Sequence, residues 1–591
     1  MIGKLQTSGG LGFIGGQRRK LNPFVPGTGL YRVSGFHFDE AGSLVKWGGM
    51  AKYNTTQLLE SAVAASFTGL LDFTKSDQTK QALAMTPAGI YRLNSGVWDV
   101  LQSGLTATVN DLADLAVYKN LVYACNGVDG NRKYDGTTVM NMGVAAPSSA
   151  CTAALGAAGV LTGDYSYKVT FYNAALAHES NPSPVSNTIA ATSDQISLSG
   201  IPISADTQVT RRRLYRTSTG GAVWRFLAEI ADNTTTTYVD NLADSTLGVA
   251  IEAQAFGVPP VAAMLLVWRG FLFMVPKNSS RVWFSKQGFP NAVHPNDFRD
   301  LDADDGDIVT GLTNLNGPVA FKNDSIWNAT GQDRNTLDFT QQVRGVGSVN
   351  HKGIVKIPGK DVVMFPSEEG FYGYNGLNEE YLSTEIESEW RGLNRARLKY
   401  ISGTIYKPKN LAIWLCSTGS SGQHDLAITY DYVQEQWSTR PLTNTKSNIA
   451  AIIEDANNNE SVYFGGYGGH VWQGDTGLSD DGSVIACEVI SRAHPDRDTA
   501  QDSVKSFQEL LVWFAPQAGV TATASYAVDD PNGTYTTIGT VDCSKASGQD
   551  RLRFAGYGRR CYIKVVNSAS GQPLTLRGMK VLYQSLDRVY A

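Results

Sequence analysis

The chain is 591 residues long, enough for several separately packed cores, which excludes a single small module. Fifty Lys and Arg against 55 Asp and Glu give a formal net charge of −5 without any long basic run, which excludes a sequence-independent grip on DNA through many phosphate contacts. Sixty glycines and an aromatic share of 10% argue for short strands joined by tight turns rather than for long helices.

The first residues, Met1-Ile2-Gly3-Lys4-Leu5, carry no apolar h-region, so no signal peptide is expected. Gly10-Leu11-Gly12-Phe13-Ile14-Gly15 has the glycine spacing of a dinucleotide fingerprint. That spacing has chemical meaning only between a strand and a helix, and Pro23 and Pro26 stand where the helix would run. Residues 1–30 are therefore read as an N-terminal arm.

A phrase then begins to recur: a Gly or turn pair, an apolar strand ending in Tyr or Trp, and a polar turn. It reads Gly89-Ile90-Tyr91-Arg92-Leu93-Asn94-Ser95-Gly96, then Lys133-Tyr134-Asp135-Gly136, then Ser325-Ile326-Trp327-Asn328-Ala329-Thr330-Gly331. It returns as Gly370-Phe371-Tyr372-Gly373-Tyr374-Asn375-Gly376 and as Gly469-His470-Val471-Trp472-Gln473-Gly474-Asp475. A unit this small cannot bury its own apolar face, so copies must stack around a centre. The expected fold is all-β: a closed propeller of six or seven blades, built from residues 31–149 and 251–478.

The segment 150–250 interrupts the phrase with strands of alternating polarity, such as Tyr165-Ser166-Tyr167-Lys168-Val169-Thr170-Phe171-Tyr172. It is expected to be an inserted Ig/fibronectin-like sandwich. Within it Arg211-Arg212-Arg213 is the densest basic cluster, read as a solvated strand face. The apolar stretch 258–276 is broken by Pro259, Pro260 and Arg269-Gly270, which predicts strand–turn–strand and no membrane-spanning segment.

Asp302-Ala303-Asp304-Asp305-Gly306-Asp307 collects four carboxylates, but Thr313 stands where a calcium loop needs Glu, so a solvated turn is expected. Glu368-Glu369 and Glu379-Glu380 are the carboxylate pairs one would test for glycoside hydrolysis. As neighbours they point to opposite faces, and they read as turn charge. Residues 382–398 could hold one short helix around Trp390. Tyr430-Asp431 followed by Trp437 matches the kelch spacing, a packing signal; Gly465-Gly466 lies downstream of it rather than before. Trp327, Tyr372, Trp437 and Trp472 are expected to be packing residues.

The seven histidines show no HExxH spacing, there is no GxSxG, and the sialidase Ser-x-Asp-x-Gly-x-x-Trp box is missing. Cys125, Cys151, Cys416, Cys487, Cys543 and Cys561 form no CxxC and are expected as buried reduced thiols. No catalytic, cofactor-binding or metal-ligating residue is assigned, and no enzymatic activity is expected. After residue 478 the phrase stops, and long alternating strands such as Phe507-Gln508-Glu509-Leu510-Leu511-Val512-Trp513-Phe514 predict a separate C-terminal β-sandwich over 479–591.

Three groups of phrases, in this order, resemble the tail nozzle (tail hub, or packaged-DNA stabilisation) proteins of short-tailed bacteriophages. The first is Glu179-Ser180-Asn181-Pro182-Ser183-Pro184 with Val209-Thr210-Arg211-Arg212-Arg213-Leu214-Tyr215-Arg216-Thr217 and Asn233-Thr234-Thr235-Thr236-Thr237-Tyr238-Val239-Asp240. The second is Asp307-Ile308-Val309-Thr310-Gly311-Leu312 leading to Val319-Ala320-Phe321-Lys322-Asn323-Asp324-Ser325-Ile326-Trp327. The third is Val346-Gly347-Ser348-Val349-Asn350-His351-Lys352-Gly353-Ile354-Val355, then Glu369-Gly370-Phe371-Tyr372-Gly373-Tyr374-Asn375-Gly376. The resemblance covers residues from about 20 to 480.

It implies a virion structural protein assembled in the bacterial cytoplasm: a homo-oligomeric ring, commonly a hexamer, that continues the DNA ejection channel. The implied partners are the tail adaptor (head-to-tail connector) protein and tail fibres or spikes, with viral DNA passing through without sequence-specific binding. No catalytic residues come with the resemblance. The competing expectation is a receptor-binding or carbohydrate-binding or -cleaving propeller of a tailspike or fibre.

Overall fold

The computed structural model describes residues 6–7, 30–252, 254–495 and 503–586. The glycine motif at 10–15 and nearly all of the 1–30 arm lie outside the described residues. The chain divides into two compact units: Met1–Leu112 with Phe321–Ile326 and Gln341–Ala591, and Ala113–Ala320 with Trp327–Thr340.

Strand dominates both. Among the described residues seven four-stranded antiparallel blades can be traced, numbered here in chain order. In the first unit, blade 1 runs from Gly69–Thr74 to Val97–Ser103, blade 5 from Val355–Lys356 to Glu379–Tyr381, and blade 6 from Ser402–Tyr406 to Gln436–Pro441. Blade 7 is Ser447–Glu454, Glu460–Gly466 and Val471–Gly474, and its fourth strand is Met50–Lys52 from far upstream. The first strands of blades 5, 6, 7 and 1 pack side by side in that order.

In the second unit, blades 2 (114–141) and 3 (264–300) are whole, and the residues of blade 4 (311–344) are divided between the units. The first strands of blades 2, 3 and 4 again pack in sequence. Inner strands meeting inner strands is how propeller blades bury apolar faces that none could bury alone.

Each of the five recurring phrases lands on the third strand of a blade and the turn after it: blades 1, 2, 4, 5 and 7. Blades 3 and 6 have the strand but not the glycine turn. Stretch 258–276 is Met264–Trp268, a two-residue turn and Phe271–Val275. Arg269 and Gly270 both have positive φ, 46° and 84°, as a tight hairpin with right-handed strand twist requires. No described helix is long and apolar enough to cross a membrane.

The insertion follows blade 2 and forms two facing sheets. Thr152–Tyr165, Ile189–Ser199 and Tyr238–Asp240 make one; His178–Glu179, Tyr167–Asn173, Arg211–Thr217 and Trp224–Ile230 make the other. Tyr167, Val169, Ile196, Leu198 and Leu214 fill the space between them.

The Ser-Asn-Pro-Ser-Pro phrase runs along the edge of Tyr167–Asn173. Ser180, Ser183 and Ser186 each donate a backbone N–H to the carbonyls of Phe171, Val169 and Tyr167. Each serine Oγ accepts the N–H of that same residue at 2.9–3.0 Å. The serines thereby satisfy an edge that would otherwise invite strand addition, while the two prolines keep the segment from becoming a strand.

Two expectations need correction. The propeller does not begin at residue 31, and the C-terminal sandwich is not separate. Leu30–Ser34 joins the edge of blade 6 to Cys487–Ser491, making one nine-stranded sheet that continues through Cys561–Asn567, Thr521–Val528 and Thr536–Asp542. Phe36–Phe38 and Leu44–Lys46 enter the opposing sheet beside Thr575–Ser585. The cause is apolar burial: Leu30, Val33, Phe36, Phe38 and Leu44 share a core with Phe507, Val512, Phe514, Ile563 and Val581. Gly35 makes the step between sheets at φ 73°, where a Cβ would meet the Ala486 carbonyl oxygen at 2.3 Å.

The one short helix expected within 382–398 is Glu387–Arg391, which carries Trp390; Gly392 follows it and 395–400 tightens into 3₁₀ geometry.

Candidate functional site

Blade 5 carries the one place where aromatic rings, carboxylates and guanidinium groups from the sequence reading meet. In its third strand, Phe371–Tyr374, alternation sends Phe371 inward against Trp390, Trp414 and Trp437, with ring centroids 4.5–5.2 Å away. Tyr372 points the other way and lies half-buried. It is in cross-strand register with Phe365 on one side and Tyr381 on the other. The three rings form a row, Tyr372 stacking on Phe365 at 6.1 Å and meeting Tyr381 edge-on at 5.2 Å.

The turn before this strand holds Glu368 and Glu369, and it is pinned. The Glu368 carbonyl accepts from Trp390 Nε1 at 3.2 Å and from Arg395 Nη1 at 2.5 Å. The Glu369 carbonyl accepts from the Tyr381 hydroxyl at 3.4 Å. Gly370 lets Tyr381 and Ser383 close over the turn, since a Cβ there would lie 2.6 Å from the Tyr381 ring. Both carboxylates stay exposed, and among the described residues neither makes an ion pair.

Two adjoining depressions result. One, of about 270 Å³, is lined by Glu369, Tyr372, Tyr381, Glu387, Trp390, Arg391 and Arg395. The other, of about 600 Å³, is bordered by Glu368, Glu369, Arg395 and Lys399. Arg391 is held by Glu387. Glu379 and Glu380 do not join this site: Glu380 lines a different cavity of about 270 Å³, with Tyr430, Tyr432 and Leu382, beside the Lys360–Glu435 ion pair of 3.1 Å.

Of the arginine cluster, expected as a solvated face, Arg211 is exposed and paired with Glu229, Arg213 is a quarter exposed, and Arg212 departs from the expectation. Strand alternation turns Arg212 fully inward, where its guanidinium meets the Asp232 carboxylate at 2.8 Å and the Pro202 carbonyl at 3.2 Å. Arg213 sits between Glu179 (2.9 Å) and Glu229 (3.1 Å), its guanidinium 3.6 Å from the centre of the Tyr172 ring. A guanidinium cannot be buried unpaired, so the sandwich surrounds each with acceptors. The acidic run at 302–307 is largely exposed, and no described group of three His, Cys, Asp or Glu could hold a metal ion. The six cysteines are buried, and none forms a disulfide. Trp437 and Trp472 are buried, whereas Trp327 and Tyr372 are half-buried.

Two buried histidines, His37 and His424, and the half-buried His178 are held neutral. Burial, with Lys409 at 3.0 Å, lowers His37 to about 4. Burial lowers His424 to about 4 and, with Lys133 beside it, His178 to about 3. An unfolded histidine takes up its proton near pH 6.5, whereas folded His37 and His424 refuse theirs until about pH 4. The unfolded chain therefore binds more protons in that window, and stability falls as pH drops through it, by roughly 3 kcal/mol for each group. Urea midpoints at pH 7.5 and 4.5 test this, and His424→Gln should flatten the slope. Equal midpoints would contradict it.

The rings at 372 and 381 were visible as residues, but their pairing was not: it depends on strand register, which the sequence leaves open. The arginines at 391 and 395 gave no signal, being spaced for a helix that stops at Gly392.

No known protein family matches the sequence, and no curated protein matches it. Among solved structures the chain is similar to an exo-β-1,3-galactanase from Phanerochaete chrysosporium with galactose, at 7% identity over 80% of this chain and 95% of that one, TM-score 0.18. It is similar to the N-terminal domain of Nup159, at 9% over 80% and 97%, TM-score 0.19. It is also similar to PorZ, a surface component of the type-IX secretion system of Porphyromonas gingivalis, at 11% over 95% and 82%, TM-score 0.25. At these scores none of the three bears on what this chain does.

Proposed function

We propose that the chain is a non-enzymatic structural protein of a bacteriophage tail, one copy of a nozzle ring that continues the DNA ejection channel, helps retain packaged DNA and anchors tail appendages. The observation that carries this reading is where its sequence phrases lie. The serines at 180 and 183 seal a sheet edge, Arg212, Arg213 and Arg216 are held in ion pairs inside the inserted sandwich, and the Gly-Phe-Tyr-Gly-Tyr-Asn-Gly phrase is a blade strand with its turn. All of it is architecture, which is what a scaffold family would hold in common.

In a hexameric ring the protomer contacts are heterologous and closing, so each copy offers two different faces. A mildly acidic wall lets DNA slide, because like charges do not adhere. Buried thiols without disulfides suit assembly in a reducing cytoplasm before the virion is released. The adaptor and the fibres or spikes are the neighbours this reading requires.

Cryo-microscopy of virions tests it: density for the chain should form an axial ring beyond the portal and adaptor. Phage lacking the chain should fill their heads and then lose the DNA. Density in a peripheral fibre would overturn the reading.

A further inference from the structure

We propose that the two adjoining depressions on blade 5 form a binding site for an uncharged oligosaccharide. The site stands on its own geometry and does not depend on the ring.

Four features converge there. The first is an aromatic wall. Tyr372 and Tyr381, both half-buried and set edge-on at 67°, border the smaller depression, with the fully buried Phe365 packed behind Tyr372. Such a wall suits the C–H face of a pyranose, which is apolar on one side and hydroxylated at its rim.

The second is the alternation of acceptors and donors. The Glu368 and Glu369 carboxylates can each accept two hydroxyl protons, while Arg395 and Lys399 donate. A hydroxyl both donates and accepts, so a polyol can satisfy both kinds of group at once.

The third is net charge. Glu368 and Glu369 balance Arg395 and Lys399, and Glu387 is paired with Arg391. A phosphate chain would meet two free carboxylates, and a cationic peptide would meet three free or half-free cations. An uncharged ligand meets neither penalty.

The fourth is rigidity. Hydrogen bonds from Trp390, Arg395 and Tyr381 hold the 367–370 turn at its backbone, leaving the carboxylates outward and in place without further ordering on binding. The larger depression, about 600 Å³, falls within the roughly 300–1,000 Å³ usual for small-ligand sites.

The test uses the purified full chain and saturation-transfer NMR with three probes, maltohexaose, cellohexaose and laminarihexaose, and inorganic polyphosphate added as a charged competitor. At least one hexaose should receive saturation, and polyphosphate should not displace it. Arg395→Ala and Glu369→Gln, both on exposed side chains, should each weaken that binding at least about tenfold while leaving the melting temperature within a few degrees. Tyr372→Phe should retain it, and Tyr372→Ala should lose it. No transfer from any hexaose overturns the proposal. So does transfer that survives Arg395→Ala and Glu369→Gln, or displacement of the hexaose by polyphosphate. The ring is judged on virions and this site on isolated protein, so one can fail without the other.

Discussion

Asp240→Ala should destabilise the inserted sandwich by about 3–5 kcal/mol, the cost of leaving a buried charge without its partner. Asp240 and Arg216 are both fully buried, 2.6 Å apart. The Tyr167 hydroxyl donates to the same carboxylate at 2.8 Å. Arg216 also reaches Asp244 at 2.8 Å and the Leu242 carbonyl at 2.9 Å, and lies over the Tyr165 ring. Removing the carboxylate takes away the guanidinium's one fully buried counter-charge, leaving it the part-exposed Asp244, and orphans the phenol at the same time. Replacing both charges, as Arg216→Met with Asp240→Leu, should cost far less, since the desolvation of the pair disappears with it. A chain of this size need not unfold in one step, so the readout is amide hydrogen exchange across Tyr167–Asn173. Unchanged protection there in Asp240→Ala would refute the assignment.

Trp437→Ala should cost a similar amount, about 3–5 kcal/mol, by opening a cavity in the core shared by blades 5 and 6. Its ring lies 4.6 Å from Tyr430, 5.2 Å from Phe371 and 5.9 Å from Trp414. Its indole N–H donates to the Leu382 carbonyl at 3.2 Å. Trp437→Phe should keep most of the packing and lose the hydrogen bond. Trp327→Ala, at a half-buried position against another core, should cost distinctly less. Thermal melts of the three variants rank them; a Trp327→Ala loss equal to that of Trp437→Ala would show that burial is not what sets the difference.

The blades were legible because their third strands need the same thing each time: an apolar run, then a turn with a residue at positive φ. Gly96, Gly136, Gly331 and Gly376 supply it. Blade 6 escaped because Glu435, not glycine, takes the positive φ after Tyr430-Asp431. Blade 3 escaped because thirteen residues, 285–297, separate its last two strands. Arg212 misled because composition records charge but not partners; Asp232 lies twenty residues on from it. The N-terminal boundary misled for a related reason. Leu30 and Val33 look like any alternating strand, and nothing local says that their partner strand begins at Cys487. The candidate site was half legible: Glu368 and Glu369 stood out, whereas the row of rings beside them depended on register.

The clasp made by residues 30–52 has a consequence for the ribosome. Its partner strands lie at 436–441, 471–474, 487–491 and 575–585. At about 5–20 residues per second, the interval between synthesis of Met50 and of Ser585 is roughly half a minute to two minutes. For most of that interval Leu30, Val33, Phe36 and Leu44 lack the core they later share with residues 507–583. Strands at 30–46 are thus made some five hundred residues before the last strand they pair with, and a nascent chain stalled short of it leaves them exposed. Such an order of events calls for a chaperone that holds residues 30–52 until 575–585 arrive.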